Sequence, residues 1–214
     1  MPGMERNKLF GSIGGPLILL LLCILLQFIQ SLHPDWFMYD RTLLAEGQLW
    51  RLLTGHLVHT NTAHLLMNGA AVVVLWFVFG QSHLLGRRHR IVAYLGVVAL
   101  LSVLISTGLW IWFPEVEIYY GLSGALHGLF CFAAVSELFQ RRWSGGLLLI
   151  GCFAKVGWEL AVGPSAVTAS IIEAKVAVSS HFLGTVFGTL IGTLVGWIFR
   201  LQKSCSHAPA SVAD

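Results

Sequence analysis

Apolar residues dominate this chain in blocks rather than at alternating positions, and polar or basic clusters separate the blocks. Runs at about 13–32, 62–79, 91–112, 121–138, 145–162 and 178–199 each carry some eighteen to twenty-two residues. That is the length a helix needs to cross a hydrocarbon core of roughly 30 Å. The first run follows a short polar start that contains Arg6 and Lys8, and no small-residue cleavage site closes it, so it reads as a retained span rather than a signal peptide. Between the first and second runs, residues 33–61 differ in kind. Asp35, Asp40, Arg41, Glu46 and Arg51 are scattered there among Trp36, Phe37, Leu43, Trp50 and Leu52. This is too polar to span and too aromatic for a solvated linker, and it predicts short amphipathic helices lying at the membrane interface.

The pattern therefore predicts an all-α membrane protein, a six-transmembrane-helix bundle over residues 1–203 with a disordered tail at 204–214. Composition agrees, with 56% hydrophobic residues and 11% charged and a mean hydropathy of +0.77, outside the range of soluble globules. The formal charge of +3 is no nucleic-acid footprint, because Lys and Arg flank the apolar runs. Arg6, Lys8, Arg87, Arg88, Arg90, Arg141, Arg142, Arg200 and Lys203 fall on one side, nine of thirteen. Arg41, Arg51 and Lys175 fall on the other, and Lys155 lies inside a span. By the positive-inside rule both termini are cytoplasmic. Cys23, Cys131, Cys152 and Cys205 stand far apart without metal-ligand spacing and read as small core residues.

With that topology, spans two, four and six all descend from the outer side, and their first turns lie at one depth. His59, His64 and Asn68 open span two, Ser123 and His127 open span four, and His181 opens span six. Polar side chains within a membrane are costly and face a cavity or a partner, so a convergent layer of them is a candidate site. His64 and Asn68 stand i,i+4, as do Ser123 and His127, and each pair shares a helix face. His181 is followed by Gly184, Gly188, Gly192 and Gly196, and span four carries Gly121, Gly124 and Gly128. Small residues at four-residue spacing let membrane helices approach until their backbones touch, which would bring His181 beside Ser123.

A serine beside a histidine is the pairing of nucleophile and general base. No Asp or Glu is expected in the layer of His181, so a two-residue dyad is predicted. Donors for an oxyanion are available in the unpaired N–H groups that begin span four and in His64 and Asn68. Ser123 as a packing residue is the competing reading. His127 either steadies His181 or is a satisfied core histidine. His59 with His56 and His64 has no carboxylate or thiol partner, so support of the outer loop is favoured over a metal, and no metal or cofactor is implied. Lys155 and Glu159, i,i+4 in span five, read better as an internal ion pair locking that span than as a relay or a substrate contact. Arg51 is expected to hold the outer loop against the headgroups.

Taken together, these residues resemble the rhomboid intramembrane serine proteases. The resemblance rests on Trp50-Arg51 with Thr54, His59-x4-His64-x3-Asn68, Gly121-x-Ser123-Gly124 and His181-x2-Gly184-x3-Gly188, and it covers all six spans. It implies that Ser123 is the nucleophile and His181 the base. His64, Asn68 and the Ser123 backbone amide, with Gly121 beside it, would form the oxyanion hole, supported by His127, His59, Gly124 and Gly184. Ser180 departs from the usual alanine before the catalytic histidine. His127, where many rhomboids carry tyrosine, makes the chain most similar to the rhombosortase subgroup. That subgroup implies cleavage, near the outer face of a bacterial inner membrane, of membrane-anchored proteins with a C-terminal Gly-Gly-type sorting tail. The lipid bilayer is the other partner, and no nucleic acid is implied. The alternatives are a general rhomboid protease on single-span substrates and a non-catalytic rhomboid-like protein that binds membrane clients. A transporter is a third class, but the sequence shows neither the inverted repeat nor the broken mid-membrane helices it would need.

Overall fold

The computed structural model describes residues 2–79 and 90–205. Residues 86–89 of the basic cluster after span two and residues 206–214 of the expected tail lie outside them. In chain order the elements are α1 (Pro2–Leu32), β1 (Tyr39–Asp40), α2 (Arg41–Ala45), α3 (Arg51–Thr54), α4 (Thr62–Phe79) and α5 (Arg90–Trp112). They continue with β2 (Ile118–Tyr119), α6 (Ser123–Phe139), α7 (Ser144–Val162), α8 (Ala166–Ile172) and α9 (Val178–Cys205). Within α1, α4, α5, α7 and α9, five stretches are long and apolar enough to cross a membrane, and α6 is an apolar helix of 17 residues. The molecule is a multi-pass helical membrane bundle of the kind the apolar blocks predict. Five of these stretches are full-length candidate spans; α6 is shorter.

The ends of these helices follow from local chemistry. Asn61 caps α4, its Oδ1 accepting from the backbone N–H of His64 at 2.8 Å, and Asp40 caps α2 by accepting from the N–H of Leu43 at 3.0 Å. Each satisfies a donor that the first turn of a helix leaves orphaned. Arg41 does the converse at the C-terminal end of α5, donating to the carbonyls of Leu109 at 2.8 Å, Trp110 at 3.0 Å and Phe113 at 3.1 Å. Gly121, at φ +107, turns the chain into α6, so the helix begins at Ser123 rather than at 121. A side chain at Gly121 would be strained there and would also meet the His64 ring at 2.6 Å.

The segment 33–61 holds the two short helices expected of it, together with an antiparallel pairing of β1 on β2 that the pattern does not reveal. Tyr39 stands opposite Tyr119 and Asp40 opposite Ile118. The N–H of Gly121 then donates to the carbonyl of Gly55 at 3.0 Å. The 33–61 loop is thus stitched to the residues that lead directly into Ser123. Arg51 is not at a headgroup surface as expected. It is 3% exposed, and its guanidinium donates to the carbonyls of Met38 at 2.8 Å and Asp35 at 2.5 Å and to Gln48 Oε1 at 2.8 Å. Five donors in a fixed fork satisfy loop carbonyls from inside, which headgroup binding would forgo. The loop at 163–177 is likewise more ordered than its Gly163-Pro164 turn suggests and contains α8.

At the centre stands α6. It is buried along most of its length, including Gly124, Ala125, Leu126, Gly128, Leu129, Cys131 and Phe132, against Leu101, Ile105 and Leu109 of α5 and Leu183 of α9. Its tightest neighbour is α9. A Cβ on Gly184 would run into the carbonyl oxygen of Gly124, and one on Gly188 into that of Gly128. On Gly192 it would meet the Phe132 backbone at 3.1 Å. The two glycine stripes pack backbone to backbone, the approach that small residues allow between membrane helices.

Candidate functional site

Because α6 and α9 meet without intervening side chains, the residues at their N-terminal ends are close. Ser123 Oγ lies 2.9 Å from His181 Nε2. His181 is 6% exposed, and Ser180 before it is fully buried. The Ser180 hydroxyl donates to the carbonyl of Ala177 at 2.7 Å, and the residue packs where a side chain on Gly124 would have to stand. The departure from alanine at 180 is therefore accommodated within the first turn of α9.

The expectation that no carboxylate reaches this layer is overturned. Glu159 Oε2, from α7, accepts from His181 Nδ1 at 3.1 Å, so the serine and histidine are joined by a third, acidic side chain. The Lys155–Glu159 pair is formed, at 2.9 Å, but it does not merely lock α7. Lys155 Nζ also reaches His127 Nε2 at 2.9 Å. Chain direction is the reason: Glu159 lies near the C-terminal end of α7 and His181 near the N-terminal end of α9. The ends of antiparallel neighbours lie at one depth, and the starts of even spans alone are not the whole layer. The available signal was two charged side chains within a span, which membrane energetics treats as functional by default.

His127 is stacked on His181, with ring centroids 4.2 Å apart and planes 18° from parallel. Its Nδ1 donates to the Ser123 carbonyl at 2.8 Å. Of the two roles open to it in the sequence, the geometry is that of support for His181. His64 and Asn68 come from the first turns of α4 and face Gly121 and Ser123 across the same cavity. Asn68 is 6% exposed and its amide Nδ2 has no hydrogen-bond partner, a buried donor whose cost is repaid only by an acceptor brought to it. His64 is held differently. Thr60 donates its one hydroxyl proton to the Ile172 carbonyl at 2.6 Å, so the 3.2 Å contact between Thr60 Oγ1 and His64 Nδ1 has His64 as donor. Neutral His64 then turns an unprotonated Nε2 toward Gly121. The N-terminus of α6 has no side-chain cap, which leaves the Ser123 N–H available.

His59 is 2% exposed, and its ring packs edge-on against His64 with centroids 5.0 Å apart. Its backbone exchanges two hydrogen bonds with the Gln27 side chain, at 2.7 and 3.1 Å, tying α1 to the loop that delivers His64. His56 faces elsewhere, toward Ser106 Oγ at 3.0 Å and the Tyr119 ring. Burial depresses both loop histidines from the usual imidazole range to about 3. Tyr119 is buried behind Ser123, its hydroxyl donates to the Gly121 carbonyl at 2.5 Å, and burial raises it to about 12. Among the described residues no three His, Cys, Asp or Glu side chains are grouped as a metal ion would need. Ser123, His127, His181, Glu159, Lys155, His64 and Asn68 all line one cavity of about 570 Å³. Residues before, within and after α8, among them Pro164, Thr168, Ile172 and Lys175, form the rest of its wall.

The model of the Rhomboid domain family matches residues 46–198, which include every one of these side chains. The chain is also 28% identical over 102 residues to the "Putative rhomboid protease YdcA" of Bacillus subtilis (strain 168). That match covers 48% of each protein, so the chain aligns with about half the length of this relative. The match of the family model over most of the chain places this protein in the Rhomboid family.

Proposed function

We propose that this protein is an intramembrane serine endopeptidase, with Ser123 as nucleophile and His181 as general base. The observation that carries the reading is the 2.9 Å contact between Ser123 Oγ and His181 Nε2, on the wall of a cavity that also holds the buried, unpartnered amide of Asn68. Ser123 Oγ attacks a substrate carbonyl while its proton passes to His181 Nε2. The carbonyl oxygen becomes an oxyanion that accepts from the Ser123 N–H and from Asn68 Nδ2. His64 joins these donors when it is protonated or when Thr60 turns away from Ile172. Collapse of the intermediate breaks the C–N bond, and the leaving amine takes the proton from His181. Water then attacks the acyl-enzyme by the same route in reverse.

The length of α6 supports a membrane-embedded reaction. Seventeen residues rise about 25 Å, less than the roughly 30 Å of a hydrocarbon core. With Arg141 and Arg142 held at the cytoplasmic interface, as the charge distribution favours, Ser123 lies below the outer surface at the bottom of a hollow open to water. Both termini are then cytoplasmic, six helices cross the membrane, and the site faces outward in a bacterial inner membrane. Substrates are membrane-anchored proteins with a C-terminal Gly-Gly-type tail, a reading supported by His127 at the position that distinguishes the rhombosortase subgroup. Glycine-rich segments are poor helix formers and expose a carbonyl at little cost.

Co-expression with a Gly-Gly-tailed, membrane-anchored reporter tests the proposal. Wild type releases the reporter, whereas Ser123→Ala and His181→Ala each lower release by at least about 10³-fold at unchanged expression. Undiminished release by either variant sinks the protease reading. Release of an ordinary single-span substrate, with the tailed reporter left intact, sinks only the substrate assignment.

A further inference from the structure

The protons in the polar chain around Ser123 can be placed one by one. The Ser123 carbonyl only accepts, so His127 donates from Nδ1 at 2.8 Å, and the lone pair of neutral His127 is on Nε2. Lys155 Nζ, an ammonium with donors only, points one proton at that lone pair and another at Glu159 Oε2, each at 2.9 Å. The ionised Glu159 carboxylate only accepts, so the proton it shares with His181 at 3.1 Å is on Nδ1. This leaves the lone pair of His181 on Nε2, toward the Ser123 hydroxyl. The chain starts at the carbonyl of Ser123 and ends at its hydroxyl; the Ser123 carbonyl sets the tautomer of His127, Glu159 sets that of His181, and one ammonium bridges the two arms.

We propose that Glu159 is a positioning residue that acts through His181, making the site a Ser-His-Glu array, and that Lys155 and His127 tune it. This rests on the protease reading above. Glu159 holds His181 in the tautomer that can receive the serine proton, and its charge stabilises the imidazolium that results. His127, stacked on that ring at 4.2 Å, must stay neutral, because two stacked cations would repel. Lys155 keeps it so by occupying Nε2. Lys155 also offsets part of the Glu159 charge that His181 meets. Among the described residues, the other charged or titratable groups that share the cavity wall with His181 are His64 from α4, Tyr119 and Tyr120 before α6, and Lys175 after α8.

The test reads the nucleophilicity of Ser123 directly, with a fluorophosphonate probe on the full-length protein in detergent micelles, as labelling rate against pH. Labelling forms a Ser123 Oγ–P bond and expels fluoride while the serine proton passes to His181, so it needs no knowledge of the natural substrate. Glu159→Gln is expected to label at least about 100-fold more slowly, because an amide can donate to Nδ1 and force the wrong tautomer. Glu159→Asp recovers part of that rate. The acid limb of the profile moves down by about one pH unit in Glu159→Ala, which loses the charge that favours imidazolium, and moves up in Lys155→Met. A merely structural ion pair would lower thermal stability and leave the acid limb in place. Wild-type labelling by Glu159→Gln, or an acid limb unmoved in both Glu159→Ala and Lys155→Met, overturns the inference while Ser123→Ala remains unlabelled. Labelling of Ser123→Ala at the wild-type rate would overturn the protease reading itself.

Discussion

Helix α6 touches two neighbours in opposite ways. Against α9 it presents glycines, and the contact is backbone on backbone, with Gly184 and Gly188 over the carbonyls of Gly124 and Gly128. Against α7, at the level of the site, it presents His127 to the ammonium of Lys155 across a hydrogen bond of 2.9 Å. Gly151 and Gly157 lie on the exposed side of α7, with nothing within 4 Å of where a Cβ would stand. The α9 face sets distance and has no slack, since a single methyl group has nowhere to go. The α7 contact is as close at its far end, where a Cβ on Gly145 would run into the Ala134 carbonyl oxygen, but at the level of the site it sets protonation rather than distance. A catalytic pair inside a membrane needs both, because packing can bring a histidine to a serine without deciding which nitrogen carries the proton.

The comparison predicts its own failures. The largest effect is expected of Gly188→Leu, whose side chain must displace the Gly128 backbone. Overpacking costs about 1–3 kcal/mol or more and parts His181 from Ser123, so fluorophosphonate labelling is lost and the thermal midpoint in detergent falls. Retained labelling would show that the glycine face is not what sets the distance. Asn68→Ala comes next. Removing an oxyanion donor costs about 10²–10³-fold in kcat, with KM and thermal midpoint little changed, and an unchanged kcat in reporter cleavage removes Asn68 from the oxyanion hole.

Acid provides a third, smaller test, on the 33–61 loop that carries His64 into place. His56 and His59 are buried and held neutral, at about 3 when folded against about 6.5 unfolded. Between those values the unfolded chain binds more protons, so stability is full above pH 6.5 and declines as pH falls toward 3. By pH 5 each contributes a loss of about 2 kcal/mol. The thermal midpoint should fall from pH 7.5 to pH 5, and a pH-independent midpoint would mean that these rings are not desolvated. Gly157→Ala closes the series with the smallest effect. It has room for its methyl and gains up to about 1 kcal/mol of helix propensity, so equal or slightly higher stability with undiminished labelling is expected. A large loss would show that this exposed side of α7 carries a packing contact after all.

Much of this was legible before any coordinates. Blocks of apolar residues gave helix limits within about two residues for α4, α7 and the start of α9, since burial in lipid leaves a helix little choice but to satisfy its backbone internally. The i,i+4 pairs and the glycine stripes gave Ser123, His181, His64 and Asn68 as one layer. Glu159 escaped because the layer was assembled from the starts of descending spans alone. The β1–β2 pairing escaped because two-residue strands have no period to read. Arg51 was misplaced because nothing local distinguishes an arginine facing headgroups from one turned inward to three acceptors of its own loop.

The sequence by itself determined which segments are helices in a membrane and which faces of α6 and α9 can touch, because hydropathy and side-chain size act locally and repeat with the helical period. Only the tertiary structure decided what stands on Nδ1 of His181, which way Thr60 spends its proton, and that Lys155 joins two histidines. Each of these depends on where the end of one helix lies against the start of another, a relation of depth and rotation between elements that no single stretch of chain contains.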